Sequence, residues 1–208
     1  MTHRDTLPLE TDLAEDYFAD PYEHCPRFEN ERFLLRLAES GDAEGLLSVY
    51  TDPAAQDTLT ECSAWNCDFG YGAKTLAEMR EHIGKWIESY KNRYFVRMTI
   101  FDKQSETVVG TIEAYRREEG SFCGGKICLR LDLHSDYENE KAIDNLLSLI
   151  IKNGIASFGA DGIVTRATPV AAERIKALLK NGFVLSDEQL QDGHGWGITY
   201  GEFWVKTV

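Results

Sequence analysis

Three side chains that can take up a proton lie in segments that read as neighbouring strands. Glu113 falls in Thr107 to Tyr115, and Asp132 and His134 fall in Lys126 to His134. Strand alternation puts Asp132 and His134 on one face with Arg130, and Leu129, Leu131 and Leu133 on the other. Deprotonating a nucleophile needs such a group. The same residues also suit salt bridges, for instance with Arg130, or a solvated strand face, and the sequence leaves these readings open. Trp65 sits in a stretch from 54 to 74 rich in Gly, Asn, Asp, Ser and Cys, which reads as one long loop. Loops of that length inside compact domains often carry function, so Trp65 is a candidate substrate contact, with plain packing as the alternative.

The five cysteines give two C-x4-C spacings, Cys62 with Cys67 and Cys123 with Cys128. A zinc site is not expected, because Cys123 and Cys128 flank a strand at an odd offset and point to opposite faces. No signature supplies a His partner for a nucleophilic Cys. An odd number of thiols with no secretory signal predicts a reduced, cytoplasmic protein.

These residues depend on elements that the pattern predicts in the order β-α-(loop)-α-β-β-β-α-β-α-β-β. Arg32 to Leu37 reads as a strand, and a helix follows from Ser40, as N-cap, to the residue before Pro53. Thr75 to Glu78 is a capping box opening an amphipathic helix with Leu76, Met79, Ile83, Trp86, Ile87 and Tyr90 at helical spacing. Tyr94 to Phe101 and Thr107 to Tyr115 form a hairpin. A helix runs from about Glu140 to Phe158 and a strand from Ile163 to Ala167. Thr168 and Pro169 then open a helix that stops at Asn181 and Gly182. Phe183 to Leu185 and Ile198 to Val205 make a last hairpin across a Gly-rich loop whose His194 reads as solvent-exposed.

The chain has 208 residues and a formal charge of −13, from 35 acidic and 22 basic side chains. This length suits one domain and buries a sufficient core without staples. The acidic balance argues against nucleic acid and anionic membranes as partners, and mildly favours a cationic small molecule or basic peptide. No apolar run approaches the roughly 20 residues of a membrane-spanning helix. Between Glu10 and Glu31 there are eight acids and one base, interleaved with Leu13, Tyr17, Phe18, Tyr22 and Phe28. Aromatics are scarce in disordered acidic tails. Residues 1–30 therefore read as a partly ordered acidic extension with a short helix near Leu9 to Phe18, and 31–208 as the body. A docked extension, a dimer arm and a lid are its alternative roles.

The order of elements, with Asn30 to Leu37, Asp42-Ala-Glu, Tyr50-Thr-Asp-Pro53, Val108 to Ile112, Phe158 to Pro169 and Lys180 to Phe183, resembles the GNAT acyl-CoA N-acyltransferases. The likeness covers about residues 30–208, and within the superfamily it is nearest to the ribosomal-protein alanine N-acetyltransferase branch. It implies an α/β (α+β) fold: a mixed, mostly antiparallel sheet of about six to seven strands, helices on both faces, and a V-shaped split between the fourth and fifth strands. It also implies acetyl-CoA as co-substrate, its pantetheine against the fourth strand near Leu131, Leu133 and His134. The diphosphate would lie on backbone N–H groups of the turn that opens the next helix. The matching stretch is Glu138, Asn139, Glu140, Lys141, Ala142 and Ile143. Glu138 stands at the family's Arg/Gln position, Asn139 and Lys141 at glycine positions, and Ile143 at a small-residue position. Asp136, Glu138 and Glu140 put negative charge where a diphosphate would sit. The Asn that often contacts the cofactor is Ala171 here, and the Tyr that many members use as general acid is Leu178.

The resemblance implies acetyl transfer to a primary amine inside a ternary complex, with Glu113, Asp132 or His134 as base. The alternative is a domain of this fold that no longer binds acetyl-CoA normally and serves as a binding or regulatory module, or takes another ligand. A homodimer is also open.

Overall fold

The computed structural model describes residues 20–63, 72–191 and 198–207. Trp65, Cys67, His194 and the expected helix near Leu9 to Phe18 lie outside the described residues. A strand pair, β1 (Phe28–Glu29) and β2 (Phe33–Leu37), opens the described fold and leads into α1 (Ala43–Thr51) and α2 (Gln56–Glu61). Then come α3 (Leu76–Lys91), β3 (Val96–Asp102), β4 (Thr107–Arg116) and β5 (Ile127–Leu133), followed by α4 (Glu140–Ser157), β6 (Gly162–Arg166) and α5 (Ala172–Lys180). The chain ends in β7 (Val184–Leu185), β8 (Leu190–Gln191), β9 (Thr199–Tyr200) and β10 (Phe203–Thr207).

The main sheet has eight strands in the order β1-β2-β3-β4-β5-β6-β10-β7, and β8 pairs with β9 apart from it. It exceeds the expected strand number because each edge carries a two-residue strand, too short to leave a periodic signal. All neighbours are antiparallel except β5 and β6. The parallel pairing covers only Ile127, Cys128 and Leu129 against Ile163, Val164 and Thr165. Beyond it β5 runs on to Leu133 without a ladder partner on that side among the described residues. This is the V-shaped split; counted from β2, β5 and β6 are the fourth and fifth strands.

One face of the sheet packs Val96, Met98, Ile100, Ile112, Leu129, Leu131 and Leu133 against Ile143, Leu146, Leu147 and Ile150 of α4, and Ala177 and Leu178 of α5 join them. The other face lies under α1 and α3, where Leu46, Tyr50, Met79, Ile83 and Trp86 form a second core. Tyr22, Cys25 and Phe28 pack into the first core, so the acidic segment is docked at least from residue 20 onward.

Local chemistry accounts for most element ends and corrects some expectations. The Thr75–Glu78 capping box forms with both reciprocal bonds. α5 stops at Gly182, whose φ of 78° suits glycine, and Phe183 N–H returns to the Leu178 carbonyl. Ser40 is not a cap. Glu39 holds that place before a short 3-10 turn, in reciprocal bonds with Asp42. Thr168 makes no side-chain cap bond either, and its buried Oγ1 has no hydrogen-bond partner among the described residues. The expected loop from 54 to 74 contains α2, whose Thr58 and Leu59 are buried; its six residues are too few to show periodicity against a Gly- and Asn-rich background.

Gly110 sets the approach of β4 to β5. A Cβ there would stand 2.2 Å from the Asp132 carbonyl oxygen. Gly84 in α3 has open space around its Cβ position. Gly110→Ala is expected to lower stability by about 1–3 kcal/mol through backbone displacement. Gly84→Ala is expected to raise it by roughly 0.5–1 kcal/mol through helix propensity. Urea unfolding of the two variants against the parent checks both signs.

Candidate active site

Strand register assembles the polar face. Arg97 of β3 stands opposite Glu113 of β4, which stands opposite Arg130 of β5. Two residues along, Thr99, Thr111 and Asp132 line up in the same way. All four charges are buried, with exposures from 1% to 4%. Arg97 donates to Glu113 through Nη2, and its Nη1 lies 3.3 Å from Asp132 Oδ2. Arg130 Nε donates to Asp132 Oδ1 at 3.0 Å. From α1, the Tyr50 hydroxyl donates to Asp132 Oδ2 at 2.9 Å and accepts from Arg97 Nη1 at 3.0 Å. The Trp86 ring of α3 covers the Arg97 guanidinium at 4.5 Å, a cation–π contact inside the roof.

Two arginines and two carboxylates therefore balance in a dry layer, where an unbalanced charge would carry a desolvation cost of several kcal/mol. Burial works against the Asp132 charge, but Arg130 and Arg97 outweigh it and hold the carboxyl below its ordinary range. Burial and the adjacent Asp132 charge push the Tyr50 hydroxyl far above its ordinary value. Of the sequence readings, salt bridging is the one the geometry displays, and the solvated strand face is corrected. As proton acceptors, Glu113 and Asp132 would first have to leave arginine partners.

His134 lies just past β5 and keeps 29% of its side chain exposed. Its Nδ1 accepts the Asp136 N–H at 3.3 Å and lies 3.6 Å from Asp52 Oδ2. Asp52 takes the Ser135 N–H at 2.8 Å; burial opposes its charge, and the Ser135 bonds more than offset this, lowering its pKa. His134 lines a groove of about 720 Å³ whose wall also includes Glu39, Glu44, Glu106, Asp136 and Tyr137.

The turn into α4 is tied to α5 at three levels. Glu138 receives both Nε and Nη2 of Arg174, at 2.9 and 2.7 Å. Arg174 is 2% exposed; burial disfavours its charge, and the Glu138 carboxylate more than restores it. Glu173 accepts the Glu140 N–H at 3.3 Å. One turn on, Asp144 holds Lys180 and Asn181, each at 2.8 Å. Asn139 is the α4 N-cap, and its Oδ1 takes the Ala142 N–H at 3.1 Å. Two first-turn N–H groups of α4 thus meet oxygen atoms of the chain itself. A diphosphate on this turn would have to displace Glu173 and lie against Glu138 and Glu140. Pulling Glu138 from a buried guanidinium costs about 3–5 kcal/mol. The residues present do not fit a diphosphate.

The other sequence-derived residues divide by depth. Leu131, Leu133, Ala142 and Ile143 are core side chains, so only their backbone can meet a ligand. Lys141 is exposed. Sequence reasoning missed Tyr50, Arg97 and Arg174. Arg97, flanked by Val96 and Met98 in β3, was the available signal for a buried ion pair; nothing in the sequence couples Arg174 to Glu138. Among the described residues no group of three or more His, Cys, Asp or Glu could hold a metal, and no helix is long and apolar enough to cross a membrane.

A mostly antiparallel sheet that opens between one parallel pair, with helices on both faces, is the architecture of acyl-CoA-dependent acyltransferases. Residues 32–184 match the family described as the acetyltransferase (GNAT) domain, and the chain belongs to that family. An acetyltransferase (GNAT family) from Bacillus anthracis superposes with a TM-score of 0.64 at 14% identity, over 88% of this chain and 98% of that one. The ribosomal-protein-S5-alanine acetyltransferase from Vibrio fischeri gives 0.57 at 16%, over 86% and 94%. The microcin C7 self-immunity acetyltransferase, solved with acetyl-CoA and AMP, gives 0.64 at 14%, over 86% and 94%. At these identities the likeness establishes the fold. No curated protein matches the chain.

Asp132→Asn leaves Arg97 and Arg130 short of one buried negative charge, and a loss of about 3–5 kcal/mol at neutral pH is expected. Because the folded-state pKa of Asp132 is depressed, its contribution is complete above the unfolded-state pKa and disappears as pH falls through the folded one. The stability gap between parent and variant should therefore close under acid. Urea unfolding at neutral pH and over an acid series measures it.

Proposed function

We propose that the chain is an N-acetyltransferase that moves an acetyl group from a thioester, acetyl-CoA in the family's pattern, to a primary amine, with both substrates bound together. The observation that carries this reading is the edge of β5 from Leu131 to Leu133, which faces the split without a ladder partner among the described residues, in a chain of this family. A free strand edge offers backbone N–H groups to a thioester arm and to the oxygen on which charge develops. The amine must lose a proton to attack. Among Glu113, Asp132 and His134, His134 alone is open to solvent, so it is our candidate for that proton, once its Nδ1 is released from the Asp136 N–H. Glu113 and Asp132 are assigned a positioning role, keeping β4 and β5 in register beneath the split. The acidic groove around His134 favours a cationic acceptor through its field.

A second reading has its own observation. The acid-tied turn before α4 favours a domain that does not hold acetyl-CoA in the normal way and acts as a binding or regulatory module. Calorimetry with acetyl-CoA, paired with thiol release across a panel of primary amines, separates the two. Measurable binding and amine-dependent thiol release are expected. No heat at millimolar acetyl-CoA and no thiol release from acetyl-CoA or S-acetylpantetheine, from a protein shown to be folded, would remove the first reading and leave the second.

A further inference from the structure

The three ties between α4 and α5 bear on which donor the split accepts, and the inference rests on the acetyltransferase reading above. Glu138 and Glu173 occupy the turn as anions belonging to the protein. One neutralises the buried guanidinium of Arg174; the other closes the Glu140 N–H. Asn139 closes the Ala142 N–H. Lys176, one turn further along α5, is taken by Glu173, and Lys180 is taken by Asp144. The cations that face this end of the split from α5 are thus already matched by carboxylates. An incoming diphosphate meets Glu138, Glu140 and Glu173, with Lys141 as the exposed cation of the turn, and each phosphate charge near the three carboxylates is repelled.

We propose that the split accepts an acyl thioester through its neutral arm alone, and that Glu138 and Glu173 are specificity-determining residues that reject a diphosphate head group. The ligand class is an acyl thioester whose head carries no diphosphate. CoA thioesters would be used only as well as their arm permits.

The probes are acetyl-CoA, S-acetylpantetheine and inorganic pyrophosphate, applied to the full chain and to two variants. Glu173→Ala opens the Glu140 N–H at a partly exposed position, and Glu138→Gln removes the charge paired with Arg174. For the parent, kcat/KM for acetyl-CoA should be no higher than that for S-acetylpantetheine, with pyrophosphate causing no inhibition. Each variant should shift the ratio towards acetyl-CoA by about tenfold or more and become sensitive to pyrophosphate. A tenfold change corresponds to about 1.4 kcal/mol. Should Glu138→Gln not fold, Glu173→Ala carries the comparison.

A parent enzyme that prefers acetyl-CoA a hundredfold, or that pyrophosphate inhibits, overturns the inference and leaves the acetyltransferase reading standing. Transfer from neither thioester overturns the acetyltransferase reading. The exclusion of diphosphate is then judged by amide NMR of Glu140 and Ala142. No pyrophosphate-induced shift in the parent, with a shift in Glu173→Ala, supports it; a shift in the parent overturns it.

Discussion

The structure depends on a neutral cluster of four charges buried between a sheet and its roof. Arg97, Glu113, Arg130 and Asp132 occupy one face of three adjacent strands. Each charge is tolerable only because its partner is within hydrogen-bond reach. A one-residue slip of β4 would send Glu113 to the leucine-rich face and take from Arg97 one of its two buried carboxylate partners. The cluster therefore fixes register far more tightly than apolar packing alone. Gly110 adds a steric condition on the same pair of strands, since no side chain fits against the Asp132 carbonyl. The Tyr50 hydroxyl links the cluster to α1, and the Trp86 ring links it to α3.

From that fixed register the split follows. β5 is held on one side by β4 along its whole length, and on the other side by β6 for three residues only. The open edge is thus a rigid edge, held by a sheet that cannot slide. The turn that follows is equally committed, but to the protein's own groups. Charge at this turn bolts α4 to α5. The chain belongs to the acetyltransferase (GNAT) family, while the carboxylates at its turn do not fit a diphosphate. Both facts are compatible if a thioester arm provides the recognition.

Much of the fold was legible because it rests on local rules. The capping box at Thr75, the stop at Gly182, the leucine face of β5 and the order of elements are all properties of short windows, and the family likeness covers the same span. The misses have the same physical origin. α2 and the edge strands β1 and β7 are shorter than a period, and Ser40 and Thr168 are good caps that the surrounding geometry did not use. The site was legible only in part. Glu113, Asp132 and His134 could be named, but a carboxylate's environment is set by what crosses over it. Tyr50 and Arg97 arrive from elements 82 and 35 residues away from Asp132 in sequence.

The sequence by itself determined composition, element order and the presence of acids at the turn before α4, and its family resemblance implied the split. Those acids, Glu138, Glu140 and Asp144, read equally well as helix-capping charges or as an obstacle to phosphate. Only the tertiary structure decided between them, by placing Glu173, Arg174, Lys180 and Asn181 of α5 against them. The physical reason is that a charge has no fixed meaning in a chain. It becomes a base, a bolt or a barrier according to the charge that folding sets beside it and the water that folding removes.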